Sequence, residues 1–303
     1  MHPNCTSCGS SHTRTAHPRS KLTYICCGSC GHCEQIQAEQ DASDAFEAAQ
    51  EKYYGVSSLL LLPDPDPFET ELLSKRFSVL ESYLKSPSKV LEVGPGAGHV
   101  LKWLLSNRHS TTAVEHSPTL ARQLSNRFTI PVVTGEFESS DLEPNSFDAF
   151  CSFHVIEHVP DPLAHLTKAF ELVRPGGLAF IATPNARSLE QIAFQSLSPN
   201  FDSAHTFVFS PNSLAHFSEN AGWSVLSCMT PEYSSGWLRV ITKAIRRLKR
   251  EDEEETAGKY AKSPSTSFHT IASVAKSVMF PICAVQGRLG YGNEIFMVLK
   301  KSA

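Results

Sequence analysis

No run of this 303-residue chain is both apolar and long enough to cross a bilayer: the longest candidate, Ile271 to Val285, is interrupted by Lys276 and Pro281 and falls short of the roughly 20 residues a helical span needs. A secretory leader is not expected either, because the first 20 residues are polar and carry Cys5 and Cys8. A cytoplasmic protein is expected, with peripheral membrane contact left open. Basic excess is missing too. Lys and Arg total 27 against 31 Asp and Glu, a net charge of -4, which disfavours a broad polyanion-binding surface and makes nucleic acid a minority partner. In a reducing compartment the nine cysteines are expected as thiols or metal ligands, not disulfides. With 41% hydrophobic and 19% charged residues the class is globular, and the length accommodates one core of about 200 residues with small appendages.

Six of the nine cysteines fall within the first 33 residues. Cys5-x-x-Cys8-Gly9 and Cys27-x-x-Cys30-Gly31 are matching turns separated by 18 residues, the spacing of a zinc ribbon. The glycine after each second cysteine lets backbone amides point at the sulfurs. So small a module lacks an adequate core, so a structural zinc on Cys5, Cys8, Cys27 and Cys30 would supply its folding energy. Cys26 and Cys33 are competing ligands, and degenerate cysteines without metal are the bland alternative.

Residues 90 to 98 read VLEVGPGAG, an apolar strand that ends at an acid and runs into Gly94, Gly96 and Gly98. Glycine suits a sharp turn against which a ligand lies closely. The third glycine of a G-x-G-x-x-G fingerprint is absent, since His99 and Val100 follow Gly98, and a nicotinamide cofactor is thereby disfavoured. About 20 residues on, TTAVE ends in Glu115, where a carboxylate accepts hydrogen bonds from two ribose hydroxyls. Strand-like runs at Lys89 to Val93, Thr111 to Glu115, Ile130 to Val133, Phe147 to Phe153 and Leu178 to Thr183 alternate with helical runs at His99 to Arg108, Pro118 to Phe128 and Pro162 to Val173. Such alternation predicts a doubly wound α/β fold, a parallel sheet covered by helices on both faces. Before it, Asp66 and Pro67 open a helix whose apolar residues include Leu73, Phe77, Leu80 and Leu84; after it, Ser210 caps a helix that leads to the strand Ser224 to Cys228.

Taken in order, the glycine turn, Glu115, GEFE (Gly135 to Glu138), FDAFCSFHVIEHVPDP (Phe147 to Pro162) and LVRPGGLAFIATPN (Leu172 to Asn185) resemble the class I S-adenosylmethionine (SAM)-dependent methyltransferases, in particular the branch of ubiquinone-type O-methyltransferases. The resemblance covers roughly Asp66 to Met229 and Glu294 to Lys300. It implies a Rossmann-like seven-stranded sheet with its last strand antiparallel, residues 66-303 as the methyltransferase domain, 1-35 as the zinc-ribbon-like module and 36-65 as a helical linker. About 230-293 would be an insertion, with Trp237 to Arg250 and Ile271 to Val285 either a solvated helix and loop or a lid for membrane-associated or glycan substrates.

For the site, the resemblance implies that Glu92, Gly94, Gly96 and Gly98 take the methionine end of SAM, Glu115 with His116 the ribose, and Phe137 with Glu136 or Glu138 the adenine, with His154 also on the cofactor side. His154, Glu157 and His158 follow the fourth strand, at the sheet edge where parallel-sheet ligands bind. Relatives carry E-x-x-E-H there, associated with a divalent ion; His154 in place of the first acid argues against a magnesium-like site, since hard cations want oxygen ligands. A general base, His154 ahead of His158, is the simpler expectation, against a structural role for His158 and with loop residue His205 as a further candidate. Tyr53 and Tyr54 are either substrate-side aromatics or linker packing, and Cys151, inside a strand, is expected as a packed thiol.

The function expected is methyl transfer from SAM to a small-molecule or glycan acceptor, at oxygen. A ribosomal-RNA methyltransferase with a zinc module and a catalytically silent binding protein on the same fold are the alternatives. No (N/D)PPY stands at the end of the fourth strand, where FHVI lies instead, which separates the chain from amine-methylating nucleic-acid enzymes.

Overall fold

Apolar strands that run parallel and are covered on both faces lose the in-out alternation of half-buried strands, and four such segments build the centre of this protein. The computed structural model describes residues 4–19, 22–36, 65, 67–194, 200–201, 204–233 and 279–302. Its main sheet contains β4 (Lys89–Val93), β5 (Ser110–Glu115), β6 (Val132–Thr134), β7 (Phe147–Phe153), β8 (Val173–Pro184), β10 (Trp223–Met229) and β11 (Glu294–Lys301). Their order is β10-β11-β8-β7-β4-β5-β6. β4 is parallel to β5 and β7, and β7 to β8, whereas β11 inserts antiparallel to both β8 and β10. The chain therefore has the seven-stranded, doubly wound α/β sheet that the resemblance implies.

Helices flank the sheet: α1 (Pro67–Tyr83), α2 (His99–Ser106), α3 (Pro118–Phe128), α4 (Pro162–Leu172), α5 (Leu189–Phe194), α6 (Pro211–Asn220) and α7 (279–288). Three begin on a cap followed by proline. Ser117 accepts from the amide of Leu120 at 3.4 Å, Asp161 from those of Leu163 and Ala164 at 2.9 and 3.0 Å, and Ser210 forms a capping box with Ser213. One sheet face buries Leu91, Phe150 and Ile181 with Leu166 of α4 and Phe217 of α6; the other buries Val90, Cys151, Phe180 and Phe296 with Leu80 of α1 and Leu104 of α2. Cys151 is fully buried, and its burial, with the charge of Glu92, pushes the thiol well above the ordinary range, in keeping with a packed residue.

A second sheet is formed by β1 (Thr13–Arg19), β2 (Leu22–Cys27), β3 (Cys33–Gln35) and β9 (Phe207–Val208), in the order β1-β2-β3-β9. Its first three strands belong to the cysteine-rich segment, but β9 comes from the stretch between β8 and β10 of the main sheet, with Cys33 opposite Val208 and Glu34 opposite Phe207. The segment is thus stitched into the larger body. Cys26 and Cys33, expected as competing metal ligands, face each other across β2 and β3 with Cα atoms 4.1 Å apart and form a disulfide, which corrects the expectation that all nine cysteines are thiols or ligands. The linker tyrosines Tyr53 and Tyr54, the candidate cap Asp66, Trp237 to Arg250 and most of Ile271 to Val285 lie outside the described residues. Among the described residues no helix is long and apolar enough to cross a membrane.

Candidate functional site

The carboxyl ends of β4, β5, β7 and β8 meet on one edge of the sheet, and most of the residues picked out above gather there. Gly94, Gly96 and Gly98 all have left-handed backbone, with φ of 64°, 53° and 85°, but each serves a different end. A Cβ on Gly94 would lie 2.6 Å from Val155 Cγ2, and one on Gly98 2.6 Å from the Phe128 ring; these two glycines allow close packing. A Cβ on Gly96 would meet nothing within 4 Å, so this backbone borders open space.

Glu92 is buried next to that turn, and its Oε2 has no hydrogen-bond partner. Burial pushes its carboxyl up to about 8, against a smaller downward pull from the Arg76 guanidinium. Arg76 is buried as well: Nη2 donates to Glu294 Oε1 at 2.5 Å, the guanidinium lies over the Phe153 ring, and Nε has no partner. An orphaned carboxylate oxygen and an orphaned guanidinium N–H beside an uncovered glycine backbone fit the ammonium and carboxylate of an amino-acid ligand. Glu115 ends β5 with Oε1 on the Ser117 amide at 2.9 Å, and burial raises its carboxyl. His116 and Glu136 contact each other at 2.8 Å on the surface nearby. Phe137 turns its ring into the core, edge-on to His165 at 5.0 Å. Glu138 accepts from Nδ1 of the fully buried His165 at 2.7 Å, which leaves Glu136 as the acid at the open edge.

The fourth-strand cluster splits into two parts. His154, at φ 57°, places Nδ1 3.1 Å from Glu157 Oε1 and Nε2 2.8 Å from Glu294 Oε1. Two carboxylate acceptors call for two N–H donors, so the ring is a cation: burial pulls it down, but the bonds to Glu157 and Glu294 outweigh this and raise it to about 9. Burial raises the two carboxylates, yet His154 brings Glu157 to about 2, and Arg76 with His154 brings Glu294 to about 2. Tyr233 also donates to Glu294, and Thr183 to Glu157 Oε2 at 2.9 Å. His158 and His205 form the other part, with ring centroids 4.9 Å apart. His158 Nδ1 donates to the carbonyl of Ala204 at 2.7 Å and His205 Nδ1 to that of Asn200 at 3.0 Å, so in each ring the proton on Nδ1 is fixed by a backbone acceptor. Donor atoms of Glu157, His158 and His205 lie within 4.8 Å of one another, a spacing compatible with a metal ion, but both Glu157 oxygens are already engaged by His154 and Thr183.

Sequence reasoning missed Arg76, Tyr233 and Glu294. Arg76 sits three residues after Leu73 and four before Leu80, a charge on an apolar stripe, and that was the available signal. Glu294 was visible only as the first residue of a strand.

In the cysteine-rich segment, Sγ of Cys5 and Cys30 lie 3.6 Å apart, those of Cys8 and Cys27 3.7 Å, and all four within 4.8 Å of one another. Tetrahedral zinc with bonds of about 2.3 Å requires sulfurs about 3.8 Å apart, so the donor set and its spacing fit. The two turns are built alike: Gly9 N donates to Cys5 O and Gly31 N to Cys27 O, and both glycines have left-handed φ, 70° and 81°.

A family model described as a methyltransferase domain matches residues 68–228. Among curated proteins, the ubiquinone biosynthesis O-methyltransferase of Xanthomonas campestris is 35% identical over 104 residues, 32% of this chain and 44% of that protein. Its counterpart in Xylella fastidiosa is 29% identical over 126 residues, 40% of this chain and 49% of that protein. The chain thus spans about half the length of the curated relatives it matches. Among solved structures, Haemonchus contortus phosphoethanolamine N-methyltransferase 2 with bound SAM aligns over 88% of this chain and 61% of its own at a TM-score of 0.53 and 15% identity. A SAM-dependent methyltransferase of Archaeoglobus fulgidus aligns over 84% and 99% at 0.50 and 20% identity, and the cyclase SpnF over 87% and 96% at 0.56 and 10%. Those likenesses concern the fold. The family match covers more than half of the chain, and with the glycine turn and its acids it leads to one conclusion: this protein belongs to the methyltransferase-domain family.

Proposed function

We propose that the protein transfers a methyl group from SAM to a hydroxyl of a small-molecule or glycan acceptor, with His158, backed by His205, handling the acceptor's proton. The observation that carries the cofactor half is the unpartnered buried Oε2 of Glu92 beside the open backbone of Gly96. Glu92 would take the ammonium of SAM, Arg76 its carboxylate, Glu115 the ribose hydroxyls, and Glu136 with His116 the adenine edge. SAM supplies a methyl carried on a sulfonium, moved in one in-line displacement. The chain's part is to orient the two reactants, which lowers such barriers by roughly 7 to 11 kcal/mol when alignment is close.

Neutral imidazole is matched to a hydroxyl losing its proton near pH 7. His154 does not suit that task, because both its nitrogens donate to carboxylates. Its role is to be held as a cation that fixes Glu157 and Glu294 at the edge of the site. His158 suits it better: its Nδ1–H is anchored on the carbonyl of Ala204, so Nε2 is the nitrogen through which the ring would take a proton. The O-methyltransferase relatives favour oxygen as the acceptor atom.

In the ribbon, we infer one structural zinc on Cys5, Cys8, Cys27 and Cys30; four thiolates leave no open position for catalysis.

Two assays test this. Calorimetry with SAM on Glu115→Ala should show a loss of about 1.5 to 3 kcal/mol, the cost of removing a charged hydrogen-bond acceptor, and unchanged affinity would remove the ribose assignment. A methyl-donor assay against phenols, sugars and lipid-linked glycans identifies the acceptor; turnover that follows added divalent metal would replace the proton-handling role of Glu157, His158 and His205 with metal coordination.

A further inference from the structure

Residues 200–201 and 204–209 hold the acceptor-side imidazole pair, His158 and His205, on one side and the cysteine ribbon on the other. On the catalytic side, Ala204 O receives His158 Nδ1, Asn200 O receives His205 Nδ1, and the amide of Phe207 donates to Glu157 O at 3.2 Å. On the ribbon side, the amide of Gln35 donates to Thr206 O at 2.8 Å, β3 pairs with β9, and Tyr24 Oη donates to His205 O at 2.8 Å. Tyr24 is completely buried, with its ring 4.6 Å from that of Phe201, and both share an apolar cluster with Val208 and the Cys26–Cys33 pair. His32 of the ribbon is enclosed by Phe207, Phe209 and Phe217, and Ser210 Oγ donates to Cys30 O.

A two-residue strand such as β9 does not hold itself in place; it is stable as an edge added to a larger sheet. Take the ribbon away and the carbonyls of His205 and Thr206 lose buried donors while Phe201 and Val208 lose their cover. The segment that sets both imidazoles would have to repack.

We propose that the cysteine ribbon is a wall of the active site and not an independent docking module, and that Tyr24 is the positioning residue that transmits its order to His205 and His158. The importance of these two rings to the reaction rests on the proton-handling reading above; their mechanical coupling to the ribbon does not.

The test is spectroscopic and needs no acceptor. Full-length protein with ¹³C-labelled histidine is compared with Tyr24→Phe, which keeps the ring and removes only the hydroxyl. The Cε1–H signals of His158 and His205, assigned by their loss in single His→Gln variants, are expected to shift, while those of the buried His165 and His109 stay in place and SAM affinity is unchanged. Gln35→Pro, which deletes the amide that reaches Thr206, should move the same two signals; Gln35→Ala, which keeps it, should leave them nearer to wild type. Unmoved His158 and His205 signals in both Tyr24→Phe and Gln35→Pro would overturn the proposal, and so would equal shifts of all histidines, the mark of general loosening. Should His158→Ala methylate the acceptor at the normal rate, the proton-handling reading fails and the spectroscopic result stands by itself.

Discussion

His154 and Glu294, 140 residues apart in the chain, meet through an Nε2–Oε1 hydrogen bond of 2.8 Å where the inserted antiparallel strand β11 begins. The other ring nitrogen rests on Glu157, so one cation ties the end of β7 to the start of β11 between two carboxylates that it holds low, Glu294 with the help of Arg76. Since its folded pKa of about 9 lies above the ordinary 6.5, the stability His154 contributes is complete below pH 6.5 and lost as pH rises through about 9. Glu157 and Glu294 work in the opposite sense: their contribution is present above pH 4.5 and lost as pH falls through about 2. His154→Gln should therefore destabilise the protein most between pH 4.5 and 6.5, with the gap to wild type narrowing toward pH 9. Denaturant unfolding at a series of pH values checks this, and a gap that widens with pH would reverse the assignment.

Glu92 should make cofactor affinity depend on pH. With its carboxyl pushed up to about 8, it is neutral at pH 7 until a cation arrives to pair with it. Pairing with the ammonium of SAM would expel the proton, so affinity should rise with pH up to about 8, and binding heats should depend on the ionisation enthalpy of the buffer. Glu92→Gln is expected to bind SAM more weakly and without that slope. A wild-type affinity flat over the same range would separate Glu92 from the ammonium.

The ribbon should hold one zinc per chain. Metal analysis of the purified protein is expected to give that stoichiometry, and Cys5→Ser, Cys8→Ser to abolish it, because two of four thiolates are lost. Full zinc in the double variant would place the metal elsewhere.

The order of strands and helices was legible because each of its signals is local. The VLEV strand before its glycines, the Ser210 cap and the prolines Pro118 and Pro162 that open helical runs are features of a few adjacent residues, and the elements begin where these stand. What could not be read depends on contacts between distant parts of the chain. The extension of the ribbon by β9 is a pairing of Cys33 with Val208, and neither residue advertises it. The same is true of the imidazoles. His154, His158 and His205 look alike in the sequence, and only the two carboxylates against the first and the two backbone carbonyls against the others separate a ring held between acids from the pair proposed to handle the proton. Spacing did identify the four cysteines that converge, but the partnership of Cys26 with Cys33 follows from the register of β2 and β3.

The central claim is that this is a methyltransferase whose acceptor is deprotonated at His158. It is tested most directly by measuring methyl transfer and SAM affinity together in His158→Ala. The account predicts that turnover falls by about 100-fold to 10,000-fold while SAM affinity is unchanged, as expected for loss of a positioned base. Near-normal turnover in that variant would contradict it.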